Sequence, residues 1–321
     1  MRILTGIQPS GIPHLGNYFG AMRQVCALQD KGESFLFIAD YHALTTSPTP
    51  EDLRSNVLNL ALDFISCGVD LEKTFFFRQS DIPEVCELSW LLSNVTPVGF
   101  LERAHSYKDK LAKGFDANCG LFTYPILMAS DILLYQANLV PVGKDQKQHL
   151  EITRDVAIKF NNAYGEDLLT IPEGLIPEDV AIVPGIDGQK MSKSYGNTIP
   201  IFGKEKEIKK KVMSIVTDSK GLEDKKDPDT CNVFALYKLF ANEEEIQQMR
   251  ENYMGGNYGY GHAKLALFEK MWTTFEPMRK RRAELEADIG YVQKVLDENG
   301  KKARQEANEF LAKIRKAVGL R

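Results

Sequence analysis

Two lysines and two serines crowd into five residues at Lys190-Met191-Ser192-Lys193-Ser194, with glycines at 188 and 196 on either side. Ammonium and hydroxyl donors at that density suit an oligophosphate. Charge-assisted hydrogen bonds strengthen as negative charge grows on the acceptor during a reaction. The flanking glycines suit a loop that opens and closes. A second cluster lies in the stretch from Thr5 to Tyr18, TGIQPSGIPHLGNY. There an apolar start, Ile3-Leu4, is broken by glycines and prolines, and a helical run opens near Leu15. A strand, a turn and a helix N-terminus present free backbone N–H groups and the positive end of a dipole, which favour an anion. His14 and Asn17 add side-chain donors. The spacing is neither GxGxxG nor a Walker loop, because no lysine follows the glycines. A third candidate is Asp131, in the otherwise apolar run Met128-Ala129-Ser130-Asp131-Ile132-Leu133-Leu134. On a helix Met128 and Asp131 share a face. A carboxylate buried there needs donors, supplied either by the protein core or by a ligand with an apolar body and one N–H.

These residues need a scaffold. Apolar runs at 35–39, 74–77, 139–142 and 180–183 read as buried strands, and 15–30, 51–67, 84–95 and 146–163 have the helical period. Buried strands alternating with helices predict an α/β fold, a Rossmann-like parallel sheet covered on both faces. Ligands of such sheets sit beyond the carboxyl ends of the strands. The turn at 5–17, Asp40-Tyr41-His42 and Gly143-Lys144-Asp145-Gln146 all fall at such ends and are expected to converge. Residues 97–122, polar and glycine-containing, read as an insertion. After about residue 196 helical segments dominate, at 204–216, 231–240, 243–253, 262–287 and 300–318, with turns at 227–229 and 255–257. The expected organisation is a nucleotide-binding domain over 1–196 and an all-helical domain over 197–321, whose last helix packs back on the first.

The 321 residues, 43% hydrophobic and 26% charged, describe a water-soluble globular chain without a membrane span or a signal peptide. Five scattered cysteines, none in a CxxC pair, point to a reducing cytoplasm and away from zinc or a disulfide framework. The net charge of −4 conceals an asymmetry. Residues 1–189 carry 14 Lys and Arg against 24 Asp and Glu, while 190–321 carry 26 against 20. A basic second part is what a polyanion such as RNA would meet, and it is also what solvated helix faces look like. Arg279-Lys280-Arg281-Arg282 is its densest cluster.

The pairing of PxGxxHLGN near the N-terminus with KMSKS at the end of an α/β region resembles the class I aminoacyl-tRNA synthetases. Their first motif, HIGH, is here His14-Leu15-Gly16-Asn17. The stretches 6–11, 124–135 and 140–146, and the run 303–307, are similar to the bacterial tryptophanyl-tRNA synthetases in particular. That resemblance implies activation of L-tryptophan by ATP with Mg²⁺, transfer to tRNA(Trp), and a homodimer. It implies that Gln8, Pro9, Ser10, Gly16 and Asn17 line the ATP phosphates and ribose, with His14 near the α-phosphate. Gly143, Lys144 and Asp145 hold the adenosine beside the Val183 backbone, and Lys190, Met191, Ser192, Lys193 and Ser194 close over pyrophosphate. Lys110 corresponds to a phosphate-reaching lysine of the insertion. Asp131 receives the indole N–H, and Met128, His42, Gln146 and Gly6 complete the amino-acid pocket. Lys144 stands where the family carries an acidic residue, so a backbone contact is expected there. Asn17 replaces the last His of HIGH, as is usual in this subfamily. Some members hold an iron–sulfur cluster through several cysteines of the helical domain. Only Cys231 is present there, so no cluster is expected.

Three other readings stay open at this point. A tyrosyl-tRNA synthetase shares the architecture. A nucleotidylyltransferase uses a similar HxGH turn but does not need a basic helical domain. An inert synthetase paralogue would bind RNA without catalysis.

Overall fold

The computed structural model describes residues 1–104, 107–108, 118–143, 146–165, 167–175 and 183–320. Lys110, Lys144 and Asp145, and most of the strand expected at 180–183, lie outside the described residues. Five strands, β1 (Arg2–Ile7), β2 (Glu33–Ile38), β3 (Thr74–Arg78), β4 (Leu139–Pro141) and β5 (Glu173–Leu175), form one sheet in the order β3-β2-β1-β4-β5, parallel throughout. The chain winds from β1 outward to β3, then crosses to β4 and β5. The order therefore reverses between β1 and β4, where parallel sheets place their ligands. Strand β5 has no periodicity of its own to predict it. It pairs with β4 over three residues, and its Gly174 lies so close to Leu150 that a Cβ would be 2.6 Å from Cδ2.

The helices follow local chemistry. Short α1 (Leu15–Asn17) runs through a wider π turn, Tyr18–Met22, into α2 (Arg23–Leu28). Helix α3 (Asp40–Ala43) follows β2 at once, and α4 (Pro50–Ser66) starts with Pro at its first position and the Thr49 hydroxyl accepting Asp52 N–H at 3.1 Å. After β3 come α5 (Glu84–Ser93) and α6 (Val98–Glu102), and then α7 (Cys119–Leu134), capped by Asn118 accepting from Leu121 N–H at 2.8 Å. The segment 97–122 thus contains α6 and the first turn of α7. Helix α8 (Lys147–Tyr164) follows β4. The second part holds α9 (Glu205–Met213), α10 (Asn232–Tyr237), α11 (Glu243–Gly255), α12 (Tyr260–Thr274), α13 (Glu276–Ala287) and α14 (Ile289–Ala317). The single helix expected over 262–287 is two, broken at Phe275. The last helix begins eleven residues before the expected 300, because Asp288 caps it by accepting Tyr291 N–H at 3.0 Å.

Chain proximity divides the molecule into two compact units. The first comprises 1–11, 25–178 and 285–321, and the second 12–24 and 179–284. The core of the first unit lies among the sheet, α5, α7, α8 and α14: Phe35, Phe77, Leu88, Ile132, Tyr135, Phe160 and Leu311 are all buried in one cluster. Helix α14 packs on β3 and α5. Its apolar stripe, Ala303, Ala307, Phe310, Leu311 and Ile314, recurs at the helical period, and its polar edge is tied down by ion pairs from Arg304 to Glu84 and from Arg315 to Glu87. In the second unit α12 packs against α9 and α10. The turn at 12–24 joins the same unit through its rings: Tyr18 meets Phe275 edge-on at 4.9 Å and Phe19 meets Phe240 at 5.3 Å.

Candidate functional site

In the first unit the chemistry gathers at the carboxyl ends of β1, β2, β3 and β4. Asp131, three turns into α7, is only 2% exposed. Its Oδ2 accepts from His42 Nε2 at 2.8 Å, and the amide nitrogen of Gln79 donates to Oδ1 at 2.8 Å and Oδ2 at 3.0 Å. Burial pushes the Asp131 carboxyl above the ordinary carboxylate range, and the donors from His42 and Gln79 oppose that. An ionised group in this setting is tolerable only because it is hydrogen-bonded.

Two neighbouring strand ends hold these donors in place by fastening each other. Gln79 Oε1 accepts Tyr41 N–H at 3.1 Å and His42 N–H at 3.4 Å. In return Asp40 Oδ1 accepts Ser80 N–H at 2.9 Å, and Asp40 Oδ2 accepts the Ser80 hydroxyl. Gln8, just beyond β1, reaches the His42 carbonyl at 3.5 Å. From the other side Tyr124 stands edge-on to His42 at 6.1 Å between ring centres and hydrogen-bonds His149 Nε2 through its hydroxyl. His149 Nδ1 in turn meets Gln146 Oε1 at 3.0 Å. Hydrogen bonds thus join the ends of β1, β2 and β3 through Gln8, His42, Asp131 and Gln79, while Gln146, His149 and Tyr124 form a second chain that meets the first at the His42 ring. Tyr124 also lines a cavity of about 450 Å³ together with Tyr41, Leu44, Cys86 and Leu127. Met128, one turn before Asp131, packs against the core cluster. At Gly6 a Cβ would be 2.3 Å from Phe37 Cζ, so the ring of Phe37 fills the space a side chain would take.

In the second unit the two signature stretches meet. Leu15 N–H donates to the Ile199 carbonyl at 3.0 Å, His14 bridges to Pro200, and Ile201 N–H reaches the Pro13 carbonyl at 3.3 Å. His14 is 6% exposed, and its Nδ1 is buried with no hydrogen-bond partner among the described residues. Burial first, and the charge of Lys193 second, lower its pKa to about 4. The ring is thus neutral near pH 7, with one nitrogen ready to accept or donate. Asn17 turns back to accept His14 N–H at 3.1 Å. Gly16 lies under the imidazole: a Cβ there would be 3.0 Å from Nδ1.

The lysine–serine loop is built on a short hairpin. Pro184 bridges to Lys190, Gly185 N–H donates to the Gln189 carbonyl at 2.7 Å, and Met191 N–H donates to the Val183 carbonyl at 2.9 Å. Met191 is buried and anchors the loop, while Lys190, Lys193 and Ser194 are exposed and Ser192 is half-buried. Asn197, 2% exposed, holds the loop closed on itself. Its Oδ1 accepts Ser192 N–H at 2.8 Å, and its Nδ2 donates to Asp187 Oδ1 at 2.8 Å and to the Lys190 carbonyl at 3.1 Å. Gly188 and Gly196 bracket it at φ of +84° and +65°, the left-handed region that glycine enters without strain.

The sequence pattern of the "tRNA synthetases class I (W and Y)" family matches residues 1–276. The chain belongs to this family. Among relatives of this W and Y synthetase, the tryptophan–tRNA ligase of Fusobacterium nucleatum is 54% identical over 319 residues, covering 99% of this chain and 98% of that one. The ligase of Rhodopirellula baltica is 52% identical over the full length of both. A crystal structure of tryptophanyl-tRNA synthetase from Campylobacter jejuni, complexed with ADP and tryptophan, superposes with a TM-score of 0.95 at 51% identity, with 100% of each chain covered.

The synthetase's structure joins Asp131 to His42, brings Gln146 to the same region through His149 and Tyr124, and sets the turn that carries His14, Gly16 and Asn17 against residues 199–201 after the lysine–serine loop. Sequence reasoning passed over Gln79, Tyr124, His149 and Asn197. Gln79 carried a usable signal: it is the first polar residue beyond β3, as Asp40 is the first beyond β2. Tyr124 and His149 are on helices whose period marks only that they face inward.

Proposed function

We propose that this chain is a tryptophan–tRNA ligase, activating L-tryptophan with ATP and transferring it to the 3′ end of tRNA(Trp). The observation that carries the reading is identity above 50% with tryptophan–tRNA ligases across both compact units. The ADP and tryptophan in the Campylobacter jejuni structure support ATP and tryptophan as substrates here.

In the first step a carboxylate oxygen of tryptophan bonds to the α-phosphorus of Mg·ATP while the bond to the β-phosphate oxygen breaks, and pyrophosphate leaves with the electron pair. In the second, the 2′-OH of the terminal adenosine attacks the acyl carbon, its proton is lost, and AMP leaves. No protein nucleophile enters either step, so this chain's residues position the reactants and stabilise charge. Asp131, held by His42 and Gln79, accepts the indole N–H, and Met128, Gln146 and Gly6 belong to the same pocket. An acceptor placed for an indole N–H favours indole over phenol, whose donor stands at a different position on a smaller ring. Gln8, Pro9, Ser10, Gly143, Lys144 and Asp145 serve the ATP. His14, Gly16, Asn17, Val183 and the loop Lys190–Ser194 have the same role. A neutral, buried imidazole donates a hydrogen bond without adding a charge, while Lys190, Lys193 and Lys110 answer the growing charge of pyrophosphate.

The acidic part, 1–196, carries catalysis, and the basic helices after 197 meet the anticodon arm of the tRNA, a contact weakened by salt. The ligase works in the cytoplasm as a homodimer. Trp90, 69% exposed on α5, is the residue proposed for that interface. Among the described residues no helix is long and apolar enough to cross a membrane.

Amino-acid-dependent ATP–pyrophosphate exchange tests the proposal. Tryptophan supports exchange and tyrosine does not. Lys193→Ala slows exchange by about 10²-fold or more with tryptophan binding nearly unchanged. Exchange with tyrosine, or none with either amino acid, overturns the reading.

A further inference from the structure

We propose that Gln79 is a positioning residue for amino-acid selection: it orients the Asp131 carboxylate so that a single acceptor position, on Oδ1, faces the amino acid. The inference rests on the assignment of Asp131 to the indole N–H made above. Gln79 is 1% exposed and sits at the end of β3, with both ends of its amide used. Its oxygen accepts the N–H groups of Tyr41 and His42. That fixes which way the amide faces, because the reverse orientation would set NH₂ against two N–H donors. The nitrogen must then face Asp131, where it meets both carboxylate oxygens.

A carboxylate offers about four acceptor sites, two on each oxygen. Among the described residues Oδ2 has two donors, His42 Nε2 and Gln79 Nε2, while Oδ1 has Gln79 alone. One position remains, and it is on Oδ1. The backbone clamp prevents the amide from following a rotation of Asp131. It joins residues 41 and 42 to 79, and Asp40 closes it from the other side on Ser80. A side-chain donor held by two backbone groups is stiffer than one on a free stem, and precise positioning of a single acceptor is what discrimination by hydrogen bonding requires.

Gln79→Met keeps the volume and removes both the donors to Asp131 and the acceptor of the Tyr41 and His42 N–H groups. The test compares pyrophosphate exchange with tryptophan and with 3-benzothienylalanine, an isostere whose sulfur replaces the indole N–H. The expected result is a KM for tryptophan raised about tenfold or more, with the KM for ATP and the KM for the isostere within about twofold of wild type. Equal losses with both amino acids would leave Gln79 a packing residue and overturn the proposal, as would an unchanged KM for tryptophan. Gln79→Glu provides a second arm should the Met variant not fold. It keeps the acceptor for Tyr41 and His42 but loses the donor when ionised. The tryptophan KM of this variant, relative to wild type at the same pH, is then raised at pH 8. It recovers toward pH 6, as the new carboxyl gains an O–H to donate. Among the described residues Asp131, His42 and Asp40 are bonded to Gln79 or to its clamp, Cys86, Tyr135 and Asp81 act on them through charge, and the comparison with wild type at each pH removes what all of these contribute. A pH-independent defect overturns the proposal. Asp131→Ala separates the underlying reading: if it costs tryptophan and the isostere equally, Asp131 is not the indole acceptor, whatever Gln79 does.

Discussion

Gly16 lies against the imidazole of His14, where a methyl group would press on the ring. A Cβ on residue 16 would be 3.0 Å from both Cε1 and Nδ1 of His14 and 3.5 Å from Met191 Cβ. Gly16→Ala therefore has opposing effects. Alanine improves helix propensity by about 1 kcal/mol, and overpacking costs about 1–3 kcal/mol. The unfolding free energy is expected to fall by no more than about 2 kcal/mol. The exchange rate is expected to fall about tenfold, since the imidazole must shift by a few tenths of an ångström to admit the methyl group. Urea unfolding and pyrophosphate exchange on one preparation check this; unchanged exchange would place the imidazole outside the reaction.

The depressed pKa of His14 has a fixed sign. In the unfolded chain the ring takes up a proton near pH 6.5, and in the folded protein only near pH 4. Between those values the unfolded state binds more protons, so this group's contribution to stability is complete above about pH 6.5 and is lost as the pH falls toward 4, at up to about 1.4 kcal/mol per pH unit. His14→Gln should flatten the fall of the urea midpoint between pH 6.5 and 4.5 relative to wild type. Parallel curves for the two proteins would show that the ring titrates normally.

Asn197 ties three loop positions with one side chain. Asn197→Ala removes the acceptor of Ser192 N–H and the donors to Asp187 and Lys190. Leaving such groups unpaired costs about 1–3 kcal/mol. Because the bonds set the shape of the lysine–serine loop, the KM for ATP should rise and kcat fall while the KM for tryptophan holds. Asn197→Asp should be worse, since it puts a carboxylate against Asp187. Steady-state exchange kinetics distinguish the outcomes, and an Asp variant equal to wild type would refute the loop role.

Arg304 on α14 meets Glu84, whose side chain is only 7% exposed, at 2.9 Å. Arg304→Met should destabilise the protein by about 1–3 kcal/mol, less than a fully buried pair because the arginine is half-exposed. Combining it with Glu84→Gln should cost less than the sum of the two changes. Additive effects in urea titrations would mean that the pair contributes nothing beyond packing.

The sequence by itself determined the class of fold and the chemistry of its motifs. Phe35 to Ala39 and Thr74 to Phe77 announced buried strands, because a strand covered on both faces is apolar at every position. Lys190 to Ser194 announced a phosphate loop, because the donors are adjacent in the chain. Asp131 announced itself as a carboxylate out of place in an apolar run. What the tertiary structure decided are relations without a local period. Gln79 and Asp131 are 52 residues apart, and Tyr124 and His149 are 25 apart. Residues 12–24 follow β1 in sequence, yet their rings bind them to the unit that also holds the lysine–serine loop. Helix α14 is expected from the sequence to return to the first domain, but only the folded chain shows that β3 and α5 receive its apolar stripe. Burial of a stripe and satisfaction of a buried polar atom are conditions that distant segments meet together. A chain read residue by residue shows the demand for a partner, and only the folded chain shows which residue meets it.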